Sequence, residues 1–147
     1  MAWFARNILL LCLLAFSVTA CDALARVRVL ITNEMSEYQG RPNVTITLHC
    51  RSRDDDLGVH QIPYLEKYEF SFHPSVVKNT VFECGVKWDG DCHSFVAYNK
   101  NRDRHKCRVC LWKIKPEAAC MYNYGTKTYD CPEWGDWCQS SKVKCIA

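Results

Sequence analysis

The side chains able to do chemistry in this chain are eleven cysteines, five histidines and a run of three aspartates, Asp54-Asp55-Asp56. His105-Lys106-Cys107-Arg108-Val109-Cys110 sets an imidazole and two thiols at the close spacing that suits a tetrahedral zinc ion. In an oxidising compartment the same two thiols are expected instead to join distant cysteines, tying this segment to Cys50, Cys84 or Cys120, and spacing leaves the choice open. The aspartates could offer oxygen ligands to calcium, but no Asp-x-Asp-x-Asp-Gly loop surrounds them. The reading adopted is a turn in which one carboxylate caps the backbone while the others are solvated or meet Arg51 and Arg53. General acid-base catalysis needs two groups poised on one bond. His49, His60, His73, His93 and His105 are scattered with no repeating local signature, and no Gly-x-Ser-x-Gly nucleophile motif is present. No catalytic residue, metal site or cofactor is expected.

The compartment is argued from the first residues. Arg6 is a thin positive region, an apolar run extends from Ile8 to Val18, and small residues precede two cleavage points, so residues 1–25 read as an export signal too short to span a membrane. Cleavage after Ala23-Leu24-Ala25 starts the mature chain at Arg26 with nine cysteines. The alternative, after Val18-Thr19-Ala20, starts it at Cys21 with ten. An even set can pair fully, whereas nine leaves one thiol free or shared between chains. A bacterial lipoprotein lipidated at Cys21 is a third reading. What remains is the size of one domain, small enough to gain from disulfides worth about 2 to 4 kcal/mol each. Asn43-Val44-Thr45 is the sole glycosylation sequon, at the entry to a strand, where an exposed edge can accept a glycan. The formal net charge of +3 is too mild to indicate nucleic acid.

Strands must position these groups. Val44, Ile46, Leu48 and Cys50 fall on one face of a period-2 segment, and the acids and Gly58 that follow are turn chemistry. The pattern predicts eight short strands: Arg26 to Thr32, Asn43 to Cys50, Gly58 to Ile62, Lys67 to Phe72, Thr80 to Trp88, Ser94 to Tyr98, Val109 to Ile114 and Ala119 to Tyr122. Tyr68, Phe70 and Phe72 share one face, Phe82, Cys84, Val86 and Trp88 a second, and Cys110, Trp112 and Ile114 a third, so aromatics and sulfurs line a common interior. This is a small, disulfide-stabilised, all-β sandwich with little helix. The domain is expected over 26–120 and a Cys/Trp-rich extension over 121–147. In that extension Cys131, Cys138 and Cys145 are equally spaced, with Trp134 and Trp137 between them. Three cysteines cannot pair among themselves, so at least one must reach Cys92, another domain cysteine, Cys21 or another chain.

His49-Cys50, then Ser52-Arg53-Asp54-Asp55-Asp56-Leu57-Gly58, then the aromatic strand Tyr68 to Phe72, then Thr80-Val81-Phe82-Glu83-Cys84 and Cys107-Arg108-Val109-Cys110-Leu111-Trp112 stand in an order that resembles the plant self-incompatibility S1 family. Asn33, near the end of the first strand, belongs to the same set of landmarks, and the resemblance runs from about Val27 to Cys120. It implies a secreted β-sandwich. The departures are Pro63-Tyr64-Leu65-Glu66, which lacks the glycine usual before the aromatic strand, Ala118-Ala119 in place of a glycine before the last cysteine, and the extra Cys92. Thr47-Leu48-His49 also resembles the histidine strand of secreted T2-type ribonucleases. Cys50-Arg51-Ser52 is not their Gly-Leu-Trp-Pro, however, and their second histidine element is missing.

Lys100 to Arg108 is the most charged segment and is expected to project as a loop between strands, a common place for recognition. The resemblance implies a secreted protein ligand, not an enzyme, read by a membrane receptor through exposed hydrophilic loops, and in its best-known members a signal that arrests self pollen. Lys100, Arg102, Asp103, Arg104 and Lys106 are the candidate receptor contacts, with Asp54, Asp55 and Asp56. No nucleic acid partner and no stable membrane insertion are expected. The alternative is a secreted defence or toxin-like protein whose tail acts on membranes or inhibits a foreign enzyme.

Overall fold

The computed structural model describes residues 25–134, together with 7, 8 and 12. The alternative leader cut after Ala20, Cys21, Trp137, Cys138 and Cys145 therefore lie outside the described residues. Alternation of apolar and polar residues makes strands of β1 (Val27–Asn33), β4 (Ile46–Arg51), β5 (Asp56–Ile62), β6 (Lys67–Phe72), β7 (Val81–Trp88), β8 (Asp91–Asn99), β9 (Val109–Ile114) and β10 (Ala119–Asn123). Each of the eight expected strands is present within a few residues of its expected bounds. A two-residue hairpin, β2 (Glu37–Tyr38) and β3 (Arg41–Pro42), and a short edge strand, β11 (Thr128–Asp130), are additional. Their segments are too short or too polar to show a period.

One sheet has the order β11-β10-β9-β1-β6 and the other β5-β4-β7-β8. β1 runs parallel to β9 and antiparallel to β6. The two sheets meet through aromatic side chains, because alternation points one face of every strand inward. Phe72 of one sheet lies 4.4 Å from Phe82 and 5.0 Å from Tyr98 of the other, and Trp112 lies 4.9 Å from Phe95. Val29, Ile31, Ile46, Leu48, Val86 and Ile114 are fully buried between them.

Strand β10 runs through residue 123 and pairs with β11, so the chain continues as sheet past residue 120. Cys131 is disulfide-bonded to Cys120, which supplies the expected reach of an extension cysteine back to the domain. Trp134 donates from Nε1 to the carbonyl of Pro116 at 3.0 Å and stacks on His93, itself stacked on Trp88.

Two disulfides differ in kind. Cys50–Cys84 joins directly opposed positions of β4 and β7 in the centre of one sheet. Cys107–Cys110 joins cysteines at a sequence separation of 3, and this corrects the expectation that these thiols reach distant cysteines. The chain bends as it enters β9 and brings the two α-carbons within 5.2 Å, inside the range a disulfide spans. With both sulfurs joined to each other, neither is a thiolate ligand. Cys92 is also disulfide-bonded.

The missing glycine before β6 has a structural answer. Leu65 takes φ +66° with its side chain 62% exposed, and its N–H donates to the carbonyl of Asn33 at 2.8 Å. The chain holds a left-handed conformation that disfavours a β-carbon by about 1 to 2 kcal/mol. Leu65→Gly is therefore expected to raise the stability by about 1 kcal/mol, since no buried packing is lost; an unchanged or lower urea midpoint would refute this. Ala118 has no positive φ, so the second absent glycine leaves no comparable strain.

Candidate recognition surface

The register of the sheets puts the ends of β4, β6 and β8 and the starts of β1, β7 and β9 at one end of the sandwich. Three connections meet there: the acidic turn 52–55, the loop 73–80 and the segment 100–108. At the turn, Ser52 Oγ accepts from the N–H groups of Asp54 and Asp55. The expected aspartate cap is Asp56, whose Oδ1 accepts from the Gly58 N–H at 2.9 Å and lies 2.6 Å from His49 Nε2. Asp56 is thus committed to its own turn. Asp54 meets Arg53, and Asp55 is exposed.

The Gly58 N–H, with His49 beside it, holds the Asp56 carboxyl below its ordinary value. A carboxylate with a depressed folded pKa stabilises the fold above the unfolded value near 3.9, and that contribution is lost as pH falls through the folded pKa. The Gly58 amide signal should therefore titrate in NMR with a midpoint below about 3.9, and a midpoint at or above it would count against this bond.

The segment after β8 is not a free loop. Lys100–Asp103 forms a short helical turn, α1, with Asn99 as its cap accepting from the Asn101 N–H. Asp103 is 0% exposed, which corrects its place among the contact candidates. Its Oδ2 accepts from the Asn99 N–H at 2.7 Å, and both oxygens accept from the Arg102 guanidinium at 2.6 and 2.8 Å. A buried carboxylate needs such partners. Arg102 also donates to the Val96 carbonyl, so its charge is turned inward to hold the segment down. Lys100 Nζ donates to the carbonyls of Ser75 and Val76 at 2.6 and 3.1 Å, fastening the loop 73–80. Arg104, His105, Lys106 and Arg108 are exposed.

The loop 73–80 was not singled out by sequence. It carries Val76, 64% exposed, and Val77, 91% exposed. The signal was the adjacent pair of valines outside any alternating pattern. Ser75 lines two clefts, one of about 290 Å³ shared with Asp54 and Asp55, and one of about 590 Å³ shared with Arg104 and His105. The loop therefore connects the two charged segments into one surface.

Asn43 lies at the other end. It is exposed at φ +55°, just after β3, and Arg41 of that hairpin pairs with Asp89 of the β7–β8 turn at 2.6 Å. Among the described residues no helix is long and apolar enough to cross a membrane.

Residues 28–134 match the family described as Plant self-incompatibility protein S1. The chain belongs to that family. The S1 match extends through β11 to Trp134, past the Cys120 limit of the sequence resemblance. Among relatives, S-protein homolog 5 of Arabidopsis thaliana is 39% identical over 95 residues, 65% of this chain and 73% of that protein. S-protein homolog 29 of the same plant is 32% identical over 126 residues, 83% and 90% of the two chains. A solved structure of a self-incompatibility protein homologue, from a family described as small, highly stable, secreted proteins from plants, superposes with a TM-score of 0.55. The S1 chain is 13% identical to it, and the alignment covers 76% of this chain and 96% of that one, so the likeness is one of fold.

Proposed function

We propose that this S1-family chain is a secreted, glycosylated extracellular ligand, not an enzyme, recognised by a membrane receptor through the loop surface at the 52–55, 73–80 and 100–108 end of the sandwich. The observation that carries this reading is the convergence of three loops on one end of a rigid sandwich, with Asn43 at the opposite end. A glycan on Asn43 would leave the loop end uncovered. The description of the related solved structure as a secreted plant protein supports export. Arg104, Lys106 and Arg108 are exposed charges of the basic segment, and Asp54 and Asp55 are exposed charges of the acidic turn.

The test is binding of the oxidised mature protein to plasma membranes from plant reproductive and vegetative tissues. Saturable binding is expected, lost on reduction and lowered at least about tenfold by the pair Arg104→Glu and Lys106→Glu, given the several kcal/mol that like-charge juxtaposition costs at an interface. Arg102 is left out of this pair because it neutralises the buried Asp103. Asn43→Gln should remove the glycan's mass without lowering binding. Binding confined to pollen membranes would make self-pollen rejection the response; absence of saturable binding in every tissue would overturn the ligand reading.

A further inference from the structure

The 590 Å³ cleft at the loop end has a composition that selects its occupant. Val27, Pro74 and Val76 give it an apolar wall, Lys100, Arg104, His105 and Arg108 lie around it, and no aspartate or glutamate lines it among the described residues. Asp103, whose charge reaches Tyr98, does not line it and is held by Arg102 and the Asn99 N–H.

Tyr98 supplies the second observation. It lines this cleft, its side chain is fully buried, and its hydroxyl has no hydrogen-bond partner. Buried polar groups are normally paired, and an unpaired one carries its full desolvation penalty. Burial, with the Asp103 charge adding to it, pushes the Tyr98 hydroxyl above its ordinary pKa, so it keeps its proton and is a donor awaiting an acceptor. Ala25 closes part of the cleft and is the last residue before the first expected leader cut. Its removal would open the site and leave the α-ammonium of Arg26 beside it.

We infer that this cleft binds an acidic segment of the partner protein, a carboxylate side chain next to an apolar one, with Tyr98 donating to the carboxylate, the cationic rim neutralising it and the valines covering its apolar neighbour. A cleft of this volume suits a few residues of peptide, and a polar group fixing orientation within apolar walls is the usual form of such sites. This deepens the ligand reading and rests on it only for the identity of the partner.

The experiment is an NMR titration of the mature protein beginning at Arg26 with end-blocked Leu-Glu-Glu-Leu, with Leu-Gln-Gln-Leu and sodium sulfate as comparison probes. The glutamate peptide is expected to saturate, with shifts confined to Ser75, Val76, Tyr98 and 104–108, and the glutamine peptide to bind at least about tenfold more weakly, as loss of one charge-assisted bond implies. Tyr98→Phe should weaken the glutamate peptide by about tenfold while raising the melting temperature, because it removes a hydroxyl unsatisfied in the free protein. A merely structural tyrosine would not lose binding as it gained stability. Arg104→Ala should weaken binding with the melting temperature unchanged. Undiminished binding in both variants, shifts spread over the surface, or sulfate binding as tightly as the peptide would overturn the inference. Failure of the peptide while membrane binding persists sinks the cleft and leaves the ligand reading; peptide binding without any membrane binding does the reverse.

Discussion

Asn33→Leu is expected to destabilise the protein by about 3 to 5 kcal/mol. Asn33 is 0% exposed. Its Nδ2 donates to the carbonyls of Val44 and Ile62, both at 2.8 Å, and its Oδ1 accepts from the Met35 N–H at 2.9 Å. Its backbone is also engaged, the N–H with the Glu66 carbonyl and the carbonyl with the Leu65 N–H. One side chain thus ties the end of β1, in one sheet, to the segment leading into β4 and the end of β5 in the other. Leucine has a similar volume, so the loss is not one of packing; three buried backbone groups are left without partners, each worth about 1 to 3 kcal/mol. Asn33→Asp keeps the acceptor for Met35 but faces two carbonyls with a carboxyl, and is expected to be as damaging. Urea denaturation of both variants measures this, and a loss below about 1 kcal/mol would show that these bonds do not hold the sheets together.

Removing the Cys50–Cys84 bridge by a double alanine substitution is expected to destabilise the protein by about 3.8 kcal/mol, from the chain entropy restored to an unfolded loop with a sequence separation of 34. The same relation gives about 2.8 kcal/mol for Cys120–Cys131 and about 1.6 kcal/mol for Cys107–Cys110. Both sulfurs of Cys50–Cys84 are fully buried between the sheets, so small residues there also leave a void. Thermal and urea unfolding of the three double variants should rank them in that order. A Cys107/Cys110 variant as unstable as the Cys50/Cys84 variant would contradict the ranking, and would mean that the short bridge acts by holding the 104–108 segment in place rather than through the unfolded chain.

The legibility of the site follows the same division between near and distant neighbours. The acidic turn could be read as a turn because Asp and Gly act on backbone within a few residues, and Asp56 does so at Gly58. Asp103 could not be read as buried from its highly charged surroundings. Its burial depends on α1 folding back so that Asn99, Arg102 and the strand bearing Val96 all close on it. One local sign was present, an asparagine followed four residues later by an acid, which approximates the reciprocal capping pattern of a helix start. The loop 73–80 carries no motif, and it becomes part of the surface because the register brings the end of β6 and the start of β7 there and Lys100 reaches across to its carbonyls.

By itself the sequence determined the strands and their inward faces, since a period of two is written residue by residue and hydrophobic burial selects the apolar side. It also determined the family resemblance, through motifs each confined to a short stretch. Tertiary structure alone decided which cysteines join, which charged residues turn inward, that Leu65 takes a left-handed conformation, and that an unpaired Tyr98 hydroxyl sits in a basic cleft. Except for the local Cys107–Cys110 pair, these depend on segments distant in sequence meeting in the folded chain, where backbone groups must find partners wherever the fold places them.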